Sequence, residues 1–477
     1  MILFGTGGIR GVMREGEFDE KTVMVASKGV SNYMIDNNLK SVVIAYDTRN
    51  NSKKFAELSA KVFAADNHKV FVFPDPVPTP VLSFAVRYLK ADIGVVITAS
   101  HNPPEYNGYK VYTSNGVQAI PQITDILSKY VEKAWNLPLQ LSDNYHFLDD
   151  SVLNKFIEIV VETVNVDLNG LKVVYTPLHG TGAKPVTDVL KKLGANVITV
   201  DEQMVPDGNF STVKSPNPED DEALIKLKEY MKKYNIPLGI ATDPDCDRVG
   251  VIWKDSRLTG NQVGVLLTHM LLEKALEDSM VIKTIVTTDM VKPMCAEKNV
   301  QVFETPTGFK FIGDLIEKSN LRFLFGFEES CGYLAGNHSR DKDGVIGAAL
   351  VAAASKKFDL IEKLEELYEK YGYYFEKLLN FKFNDISIAK NLYQKIKDGN
   401  IPKNAKNVAD YSKGINGIIP NETLRIDFDE GKIFIRPSGT EPKLKAYIMV
   451  NSKNKKTAMN NLEKLTNYFS SFIDDMI

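Results

Sequence analysis

Apolar and polar positions along the chain follow a pattern that predicts strands alternating with helices. In the first part of the chain, the pattern predicts strands at 42–47, 69–74 and 93–98. A helical pattern follows the first strand, and a second helical pattern covers about 79–90. A polar loop closes this segment directly after its third strand.

The same order of elements returns twice. The second copy has strands at 173–177, 196–201 and 238–242, with a helix at 219–234 before the last strand. The third copy has strands at 284–289, 300–305 and 323–327, with a helix at about 308–319. Strands that alternate with helices favour parallel pairing, so we predict three tandem, similar α/β units with mixed, mostly parallel sheets.

The tail from about residue 370 has a different pattern. It predicts a hairpin of strands 424–428 and 432–436 around the turn Asp429-Glu430-Gly431, a strand at 444–450 and a helix at about 456–475. This is the pattern of a smaller C-terminal α+β domain. A chain of 477 residues also has room for several domains of ordinary size. We therefore predict four domains, at 1–150, 151–252, 253–368 and 369–477.

Composition and charge narrow the class of ligand. The net charge is −3, so the chain has no broad basic field for nucleic acid, and a small molecule is the expected partner. No stretch approaches the roughly 18 apolar residues that span a bilayer, and the first residues lack the features of an export signal, so we expect a cytoplasmic protein. Cys246, Cys295 and Cys331 are widely spaced, which is typical of reduced thiols.

Ligands of parallel sheets gather beyond the carboxyl ends of the strands, where the three units have their closing loops. Asp243, Asp245 and Asp247 alternate in the second of these loops, and three carboxylates together suit magnesium. A solvated acidic turn is the alternative. Calcium binding by an EF-hand is disfavoured, because Arg248 and Lys254 stand where its sixth and twelfth positions require Gly and Glu.

The first closing loop carries Ser100 after an apolar strand, although turn serines usually only bond their own backbone. Neither a G-x-S-x-G elbow nor a phosphate-binding G-x-x-x-x-G-K-[ST] loop is present in the sequence, so an esterase and a nucleotide-driven kinase are unsupported. The glycine-rich segment 5–11 is interpreted as a turn that presents Arg10. The segment 436–440 combines a guanidinium group, two hydroxyl groups and a glycine backbone, the donors expected around a phosphate. The alternative is that it is only the end of a hairpin that carries polar side chains.

Together and in this order, these segments resemble the α-D-phosphohexomutases, the phosphoglucomutase and phosphomannomutase group. The resemblance spans residues 4 to 442. The matching segments are 5–11 (GTGGIRG), 98–110 (TASHNPPEYNGYK), 243–248 (DPDCDR), 326–330 (GFEES) and 436–442 (RPSGTEP).

The resemblance implies a phosphoryl group carried on Ser100. It implies Mg²⁺ held by a phosphoserine oxygen and the three aspartates, that is by Ser100, Asp243, Asp245 and Asp247. The implied catalytic residues are Ser100, Lys110, Arg10 and His101. Lys110 is the better candidate for proton transfer. The base stays open, because some relatives have a histidine shortly after the E-x-S segment, where this chain continues with Cys331, and neither His101 nor His338 takes that position.

Two further groups of residues follow from the resemblance. The implied substrate contacts are Arg248, Thr307, Lys310, Glu328, Ser330, Arg340 and Lys342. The implied phosphate-binding residues are Arg436, Ser438, Gly439 and Thr440. A helix cap is the alternative for Glu328 and Ser330, and surface solvation is the alternative for the stretch 337–343.

The implied activity is the interconversion of hexose 1-phosphate and hexose 6-phosphate, of glucose and/or mannose. It would use a phosphoserine enzyme, with glucose 1,6-bisphosphate as activator and intermediate, in a monomer or homodimer. The segments 206–209 and 215–219, together with 326–330, resemble the phosphoglucomutase branch. A phosphoglucosamine mutase, a phosphopentomutase, a phosphatase and a non-catalytic phosphosugar-binding relative are the alternatives.

Overall fold

The computed structural model describes residues 8–438 and 442–477. The chain divides into two compact units, the first comprising 1–271 with 309–360 and the second 272–308 with 361–477. Within the described ranges, every helix is too short or too polar to cross a lipid bilayer.

The first α/β repeat consists of a mixed sheet and its helices. Its elements are β1 (Ile9–Val12), α1 (Glu20–Asp36), β2 (Ser41–Tyr46), α2 (Ser52–Ala65), β3 (Lys69–Val72), α3 (Thr79–Tyr88), β4 (Ile93–Ile97), β5 (Tyr106–Thr113), α4 (Pro121–Ala134) and β6 (His146–Phe147). The strand order is β1-β5-β4-β2-β3-β6. Strands β2, β3, β4 and β6 run parallel, whereas β5 is antiparallel to both β4 and β1. Every residue of β4 is buried, as expected for a central strand that is covered on both faces.

Local sequence accounts for the ends and the packing of the helices in this repeat. Helix α1 begins after Asp19, whose side chain accepts a hydrogen bond from the backbone N of Thr22 (2.8 Å) and caps the helix. Helix α1 then passes close to α4 at Gly29, where a Cβ atom would stand only 2.6 Å from the Cα of Val131. Glycine at this position therefore permits the close packing of the two helices.

The second repeat has the same architecture. Its elements are α5 (Ser151–Val164), β7 (Lys172–Thr176), α6 (Ala183–Lys192), β8 (Asn196–Thr199), α7 (Asp201–Met204), α8 (Ile225–Tyr234), β9 (Leu238–Thr242), β10 (Val249–Trp253) and β11 (Ser256–Leu258). The strand order is β11-β10-β9-β7-β8, with β7, β8 and β9 parallel. The helix expected at 219–234 is shorter, because a 3₁₀ turn at Asp221–Leu224 precedes α8.

The third repeat also has the predicted order of strands and helices. Its elements are α9 (Gly260–Leu271), β12 (Ser279–Thr284), α10 (Val291–Ala296), β13 (Gln301–Thr305), α11 (Phe309–Lys318), β14 (Arg322–Phe327), β15 (Tyr333–Ala335), α12 (Gly344–Lys357) and α13 (Leu360–Tyr371). The strand predicted at 284–289 is wrong, since β12 begins and ends five residues earlier. Lys283 interrupts the apolar pattern of β12, yet it is fully buried because Asp289 (3.1 Å) and Glu304 (2.8 Å) neutralise its ammonium group.

The tail forms an antiparallel sheet with two helices, which confirms the predicted α+β domain. Its elements are β16 (Tyr373–Lys382), α14 (Ile386–Lys397), β17 (Asn407–Asp410), β18 (Leu424–Asp427), β19 (Lys432–Pro437), β20 (Lys443–Ser452) and α15 (Lys455–Asp474). The strand order is β16-β20-β19-β18-β17. The β18–β19 hairpin and α15 were predicted, whereas β16 and α14 were not.

Each α/β repeat ends in a loop that leads into an antiparallel strand. The loop 98–105 joins β4 to β5, the loop 243–248 joins β9 to β10, and the loop 328–332 joins β14 to β15. In each repeat a strand thus ends directly at one of the three chemically distinctive loops, and the antiparallel strand after each loop was not predicted.

Candidate active site

The second closing loop forms a compact and fully buried acidic cluster. Asp243, Asp245 and Asp247 are 0%, 0% and 1% exposed, and one carboxylate oxygen from each lies within 4.8 Å of the others. A solvated acidic turn would leave these side chains in water. That alternative is therefore wrong, and the three carboxylates converge as a metal site requires.

The loop is folded around its first aspartate. Asp243 Oδ1 accepts hydrogen bonds from the backbone N of Asp247 and of Arg248, each 3.0 Å long. Cys246 lies between Asp245 and Asp247 with a φ of 50°, a left-handed conformation that reverses the direction of the chain. The backbone N of Gly344 donates to the carbonyl of Cys246 (2.9 Å), and a Cβ on that glycine would stand 2.6 Å from the same oxygen. The start of α12 therefore packs tightly against the acidic loop.

Ser100 lies beside this acidic cluster. Its Oγ donates to Asp243 Oδ2 (2.9 Å) and lies 3.2 Å from Nδ1 of His101. Its φ is 53°, which for a residue other than glycine is a strained conformation of the kind that clusters at functional sites. The alternative, a turn serine that only bonds its own backbone, is wrong, because the hydroxyl reaches a carboxylate in another repeat.

Three cationic side chains surround the acidic cluster. Lys110 Nζ, on β5, lies 3.2 Å from Asp245 Oδ2. Lys342 Nζ lies 2.6 Å from Asp247 Oδ2. Arg248 forms an ion pair with Glu219. The sequence resemblance assigned all three cations to substrate or catalysis, and the structure brings them to one place.

Charge repulsion and burial act on the three carboxyl groups in different ways. Burial, with the carboxylates of Asp247 and Asp245, raises the pKa of Asp243 well above its usual range. Burial also opposes ionisation of Asp245, but Lys110 and Lys342 outweigh it and lower its pKa. Burial and the charge of Asp245 raise the pKa of Asp247. Asp243 and Asp247 are therefore easier to protonate than ordinary carboxyl groups, and a bound cation would oppose that shift.

The donor set fits a divalent cation. Among the described residues, Oδ1 of Asp245 and Oδ1 of Asp247 are buried and accept no hydrogen bond. Buried carboxylate oxygens without a donor are costly unless a cation contacts them. Because all the side-chain ligands are hard oxygens, the residues suit Mg²⁺ better than zinc or copper.

Two residues of the implied catalytic set lie at the edge of this site. Arg10 lies on β1, opposite Gly108 of β5, and its guanidinium donates to Asn102 Oδ1 (3.0 Å). The predicted turn around Arg10 is therefore wrong, because β1 pairs with a strand almost a hundred residues further along the chain. Residues 5–7 lie outside the described ranges. His101 contacts the Ser100 hydroxyl.

The third closing loop and the stretch after it are also buried. Glu328 is 4% exposed and lies in the turn between β14 and β15, where no helix begins in the described structure, so the helix-cap alternative is wrong. Ser330 lies in the same turn and is half-buried. Lys310, on α11, is 4% exposed.

Surface solvation does not explain the stretch 337–343, since most of its residues are buried. Arg340 is 4% exposed, and its guanidinium donates to the carbonyl oxygens of Asn337 (3.1 Å) and Ser339 (2.8 Å). It also forms an ion pair with Glu317. These contacts stabilise the stretch 337–343, which includes Lys342.

The other candidates belong to the second unit. Thr307 follows β13 and is half-buried. Arg436 lies on β19 opposite Lys445 of β20, and the backbone N of Ser438 donates to the carbonyl of Lys443 (2.8 Å). Gly439 and Thr440 lie outside the described residues.

Sequence reasoning missed three residues that contact the site. Thr79 Oγ1 donates to Asp245 Oδ2 (3.1 Å), and Glu219 pairs with Arg248. Arg49 reaches the carbonyl of Ser100. Arg49 follows β2, and the rule that singled out the closing loops, polar residues beyond a parallel strand, also applies to it. Nothing in the sequence pattern marks Thr79 as different from an ordinary first residue of a helix.

Comparison with known proteins agrees with this geometry. Models of the four phosphoglucomutase/phosphomannomutase domains match the chain in order: alpha/beta/alpha domain I at 1–136, domain II at 153–257, domain III at 259–373 and the C-terminal domain at 378–462. The chain belongs to the phosphoglucomutase/phosphomannomutase family. The predicted fold class, three similar α/β domains and a smaller C-terminal domain, is thereby confirmed.

Relatives within the phosphoglucomutase/phosphomannomutase family extend over nearly the whole chain. The phosphoglucomutase of Staphylococcus aureus strain MRSA252 is 34% identical, over 94% of this chain and 89% of that protein. That of Staphylococcus saprophyticus is 33% identical, over 100% and 94%. A solved phosphoglucomutase/phosphomannomutase family protein from Burkholderia thailandensis superposes with a TM-score of 0.79 at 20% identity, covering 99% of this chain and 98% of that one. The predicted enzyme class, an intramolecular phosphotransferase among the isomerases, is confirmed.

Proposed function

We propose that this chain interconverts the 1- and 6-phosphates of glucose and/or mannose through a phosphoserine at Ser100 and a sugar bisphosphate. The observation that carries the proposal is the contact of Ser100 Oγ with Asp243, inside a buried cluster that also holds Lys110 and Lys342. Mg²⁺ held by Asp243, Asp245, Asp247 and a phosphoserine oxygen would supply positive charge to the phosphoryl oxygens.

In the first half of the proposed cycle, phospho-Ser100 donates its phosphoryl group to the free hydroxyl of a hexose monophosphate. The bond from phosphorus to Ser100 Oγ breaks and a bond to the sugar oxygen forms. Lys110 carries the proton: its ammonium group gives one to the departing Ser100 Oγ and then takes up that of the sugar hydroxyl. Arg10, His101 and Arg248 stabilise the transferring group. The product is a hexose bisphosphate beside an unphosphorylated serine.

In the second half, the bisphosphate turns over and returns its other phosphate to Ser100. Glu328 and Ser330 bind adjacent sugar hydroxyls, and the remaining sugar contacts are Thr307, Lys310, Arg340 and Lys342. Arg436, Ser438, Gly439 and Thr440 bind the phosphate that is not reacting. Each domain would then have one role. The phosphoserine lies in domain 1–150, the metal binds to domain 151–252, the sugar to domain 253–368 and the distal phosphate to domain 369–477.

The activity is tested with a panel of the 1-phosphates of glucose, mannose, glucosamine and ribose. Each is incubated with the enzyme, Mg²⁺ and a trace of glucose 1,6-bisphosphate, and followed by phosphorus NMR. We expect the resonance of the glucose or mannose 6-phosphate to grow while inorganic phosphate stays constant. Inorganic phosphate released in step with substrate loss would instead indicate a phosphatase, and no change with any sugar would indicate a binding protein.

Replacing Arg436 is expected to weaken substrate binding more than the chemistry. In Arg436→Ala we expect the KM for the hexose phosphate to rise by about 10- to 100-fold, the size of a lost charge-assisted hydrogen bond, with kcat within a few-fold. Arg425→Ala is the matched control, because Arg425 lies on the same sheet and pairs with Asp427. An unchanged KM with a collapsed kcat would contradict this role.

A further inference from the structure

The segment 206–210 (PDGNF), which the proposed cycle does not use, packs against the residues next to the phosphoserine loop. Phe210 is fully buried, and its ring centroid lies 4.9 Å from the guanidinium carbon of Arg49. Asn50 Nδ2 donates to Asn209 Oδ1 (2.7 Å). At Gly208, a Cβ atom would stand 2.4 Å from the backbone N of Asn50, so only glycine allows this approach.

Arg49 in turn binds the backbone of the phosphoserine loop. Its Nη1 donates to the carbonyl oxygens of Pro103 (2.8 Å) and Tyr106 (3.1 Å). Its Nη2 donates to the carbonyl oxygens of Ser100 and Asn102. A single guanidinium thus gathers four carbonyl groups, three from the loop between β4 and β5 and one from Tyr106, the first residue of β5. Because it contacts the carbonyl of Ser100 and not its hydroxyl, Arg49 acts on the backbone conformation.

Burying the charge of Arg49 is energetically costly unless other groups stabilise it. Arg49 is 3% exposed, and a buried charge is stable only when it is paired. Asp47 supplies the pair, with Oδ2 at 3.4 Å from Arg49 Nε, and Asp47 is itself held by the Ser52 hydroxyl (2.7 Å). The ring of Phe210 adds a cation–π contact from the second repeat.

The loop that carries Phe210 is fixed on both sides of it. His179 Nδ1 lies 3.0 Å from the carbonyl oxygen of Val205, and its Nε2 lies 2.8 Å from Thr212 Oγ1. Gln203 Nε2 also donates to Thr212 Oγ1 (2.8 Å). Phe210 therefore presents its ring to Arg49 from a segment that is anchored before and after it.

We propose that Arg49, covered by Phe210, is a positioning residue that holds Ser100 in its left-handed conformation so that its hydroxyl faces the acidic cluster. The proposal rests on the proposed role of Ser100 as phosphoryl carrier. Its physical basis is that a strained backbone persists only where the surroundings determine it from several sides. Lysine cannot replace the planar, multiply donating guanidinium, although it keeps the charge.

The first test is Arg49→Lys. We expect kcat to fall by about 100-fold, the effect of a small misplacement of a reacting group, while the KM stays within about twofold. Hydrogen exchange measured by mass spectrometry on the same protein should show faster exchange of the amides of 99–102 and 105–106, with β9 unchanged. Unchanged kcat and loop exchange would overturn the proposal, and so would faster exchange throughout both repeats, which indicates general loss of folding.

The second test separates the aromatic ring from simple core packing. Phe210→Leu should lower kcat by about fivefold and speed exchange of the same loop amides, because the cation–π contact is lost. Phe63→Leu is the matched control, since Phe63 is an equally buried phenylalanine in the core of the first repeat. Equal effects of the two substitutions on kcat and on loop exchange would overturn the role of Phe210.

The activity assay and the hydrogen-exchange measurement together distinguish a failure of this inference from a failure of the proposed function. If the wild-type enzyme shows no mutase activity with any sugar, the proposed function fails. Hydrogen exchange still decides whether Arg49 and Phe210 hold the loop. If the wild type is active and Arg49→Lys leaves both kcat and loop exchange unaltered, the positioning role fails and the proposed function stands.

Discussion

Ser100→Ala is expected to lower turnover of hexose phosphates by about 10⁴-fold or more, the order of effect seen when a covalent nucleophile is removed. Without the Oγ atom the enzyme has no site on which to carry the phosphoryl group between substrate molecules. The acidic cluster and Lys110 would remain in place, but they cannot replace a covalent intermediate. The measurement is a steady-state assay of the purified variant, together with mass spectrometry of the protein after incubation with bisphosphate.

The structure indicates that this substitution is mild for folding. The side chain makes hydrogen-bond contacts with Asp243 and His101, and alanine preserves the rest of the loop. Ser59→Ala is the matched control, because Ser59 is also buried and contacts the hydroxyls of Ser27 and Tyr109. The control is expected to keep its turnover. Full activity of purified Ser100→Ala would remove Ser100 from the mechanism. So would a phosphorylated side chain at another position of this variant during turnover.

Removal of divalent metal is expected to abolish activity, and added Mg²⁺ is expected to restore it. Cations that neutralise phosphoryl oxygens contribute several kcal/mol to such reactions, so we expect a loss of at least about 10³-fold. Binding should also be visible without turnover. A cation that binds only the folded state raises the thermal midpoint, and here it would also relieve the repulsion among Asp243, Asp245 and Asp247.

A pair of variants makes the metal test specific for the acidic cluster. Asp245→Asn removes one charged ligand, so Mg²⁺ should no longer raise the thermal midpoint of the variant. Asp255→Asn changes an exposed aspartate in the turn between β10 and β11, and its Mg²⁺-induced shift should equal that of the wild type. Turnover that resists the chelator, or an unchanged shift in Asp245→Asn, would contradict the assignment of the metal.

Much of this site could be predicted because its chemistry lies in short segments next to buried strands. The alternation of Asp243, Asp245 and Asp247 and the position of Ser100 after β4 are both visible in the sequence. What the pattern could not show is burial. The choice between a metal site and a solvated acidic turn depended on how this loop packs against residues far along the chain, such as Ser100 and Lys342, and that packing places all three carboxylates out of water.

The errors have a common physical origin in long-range contacts. Arg10 was expected in a turn, but its segment pairs as a strand with β5. A strand was predicted at 284–289, but β12 ends at Thr284 and includes Lys283, which ion pairs with Asp289 and Glu304 allow inside a buried strand. The position of Arg49 beyond a parallel strand was a signal, but its role was missed because its partners are mostly backbone carbonyls, which leave no trace in the choice of side chains.

The positive φ of 53° at Ser100 restricts the kind of alcohol that this loop can present. Threonine offers a hydroxyl on the same carbon, but its branched Cβ makes a left-handed backbone a genuine outlier. A phenol would carry its oxygen far beyond the carboxylate of Asp243. The loop is therefore selective for a primary alcohol, and serine is the residue among the twenty that provides one.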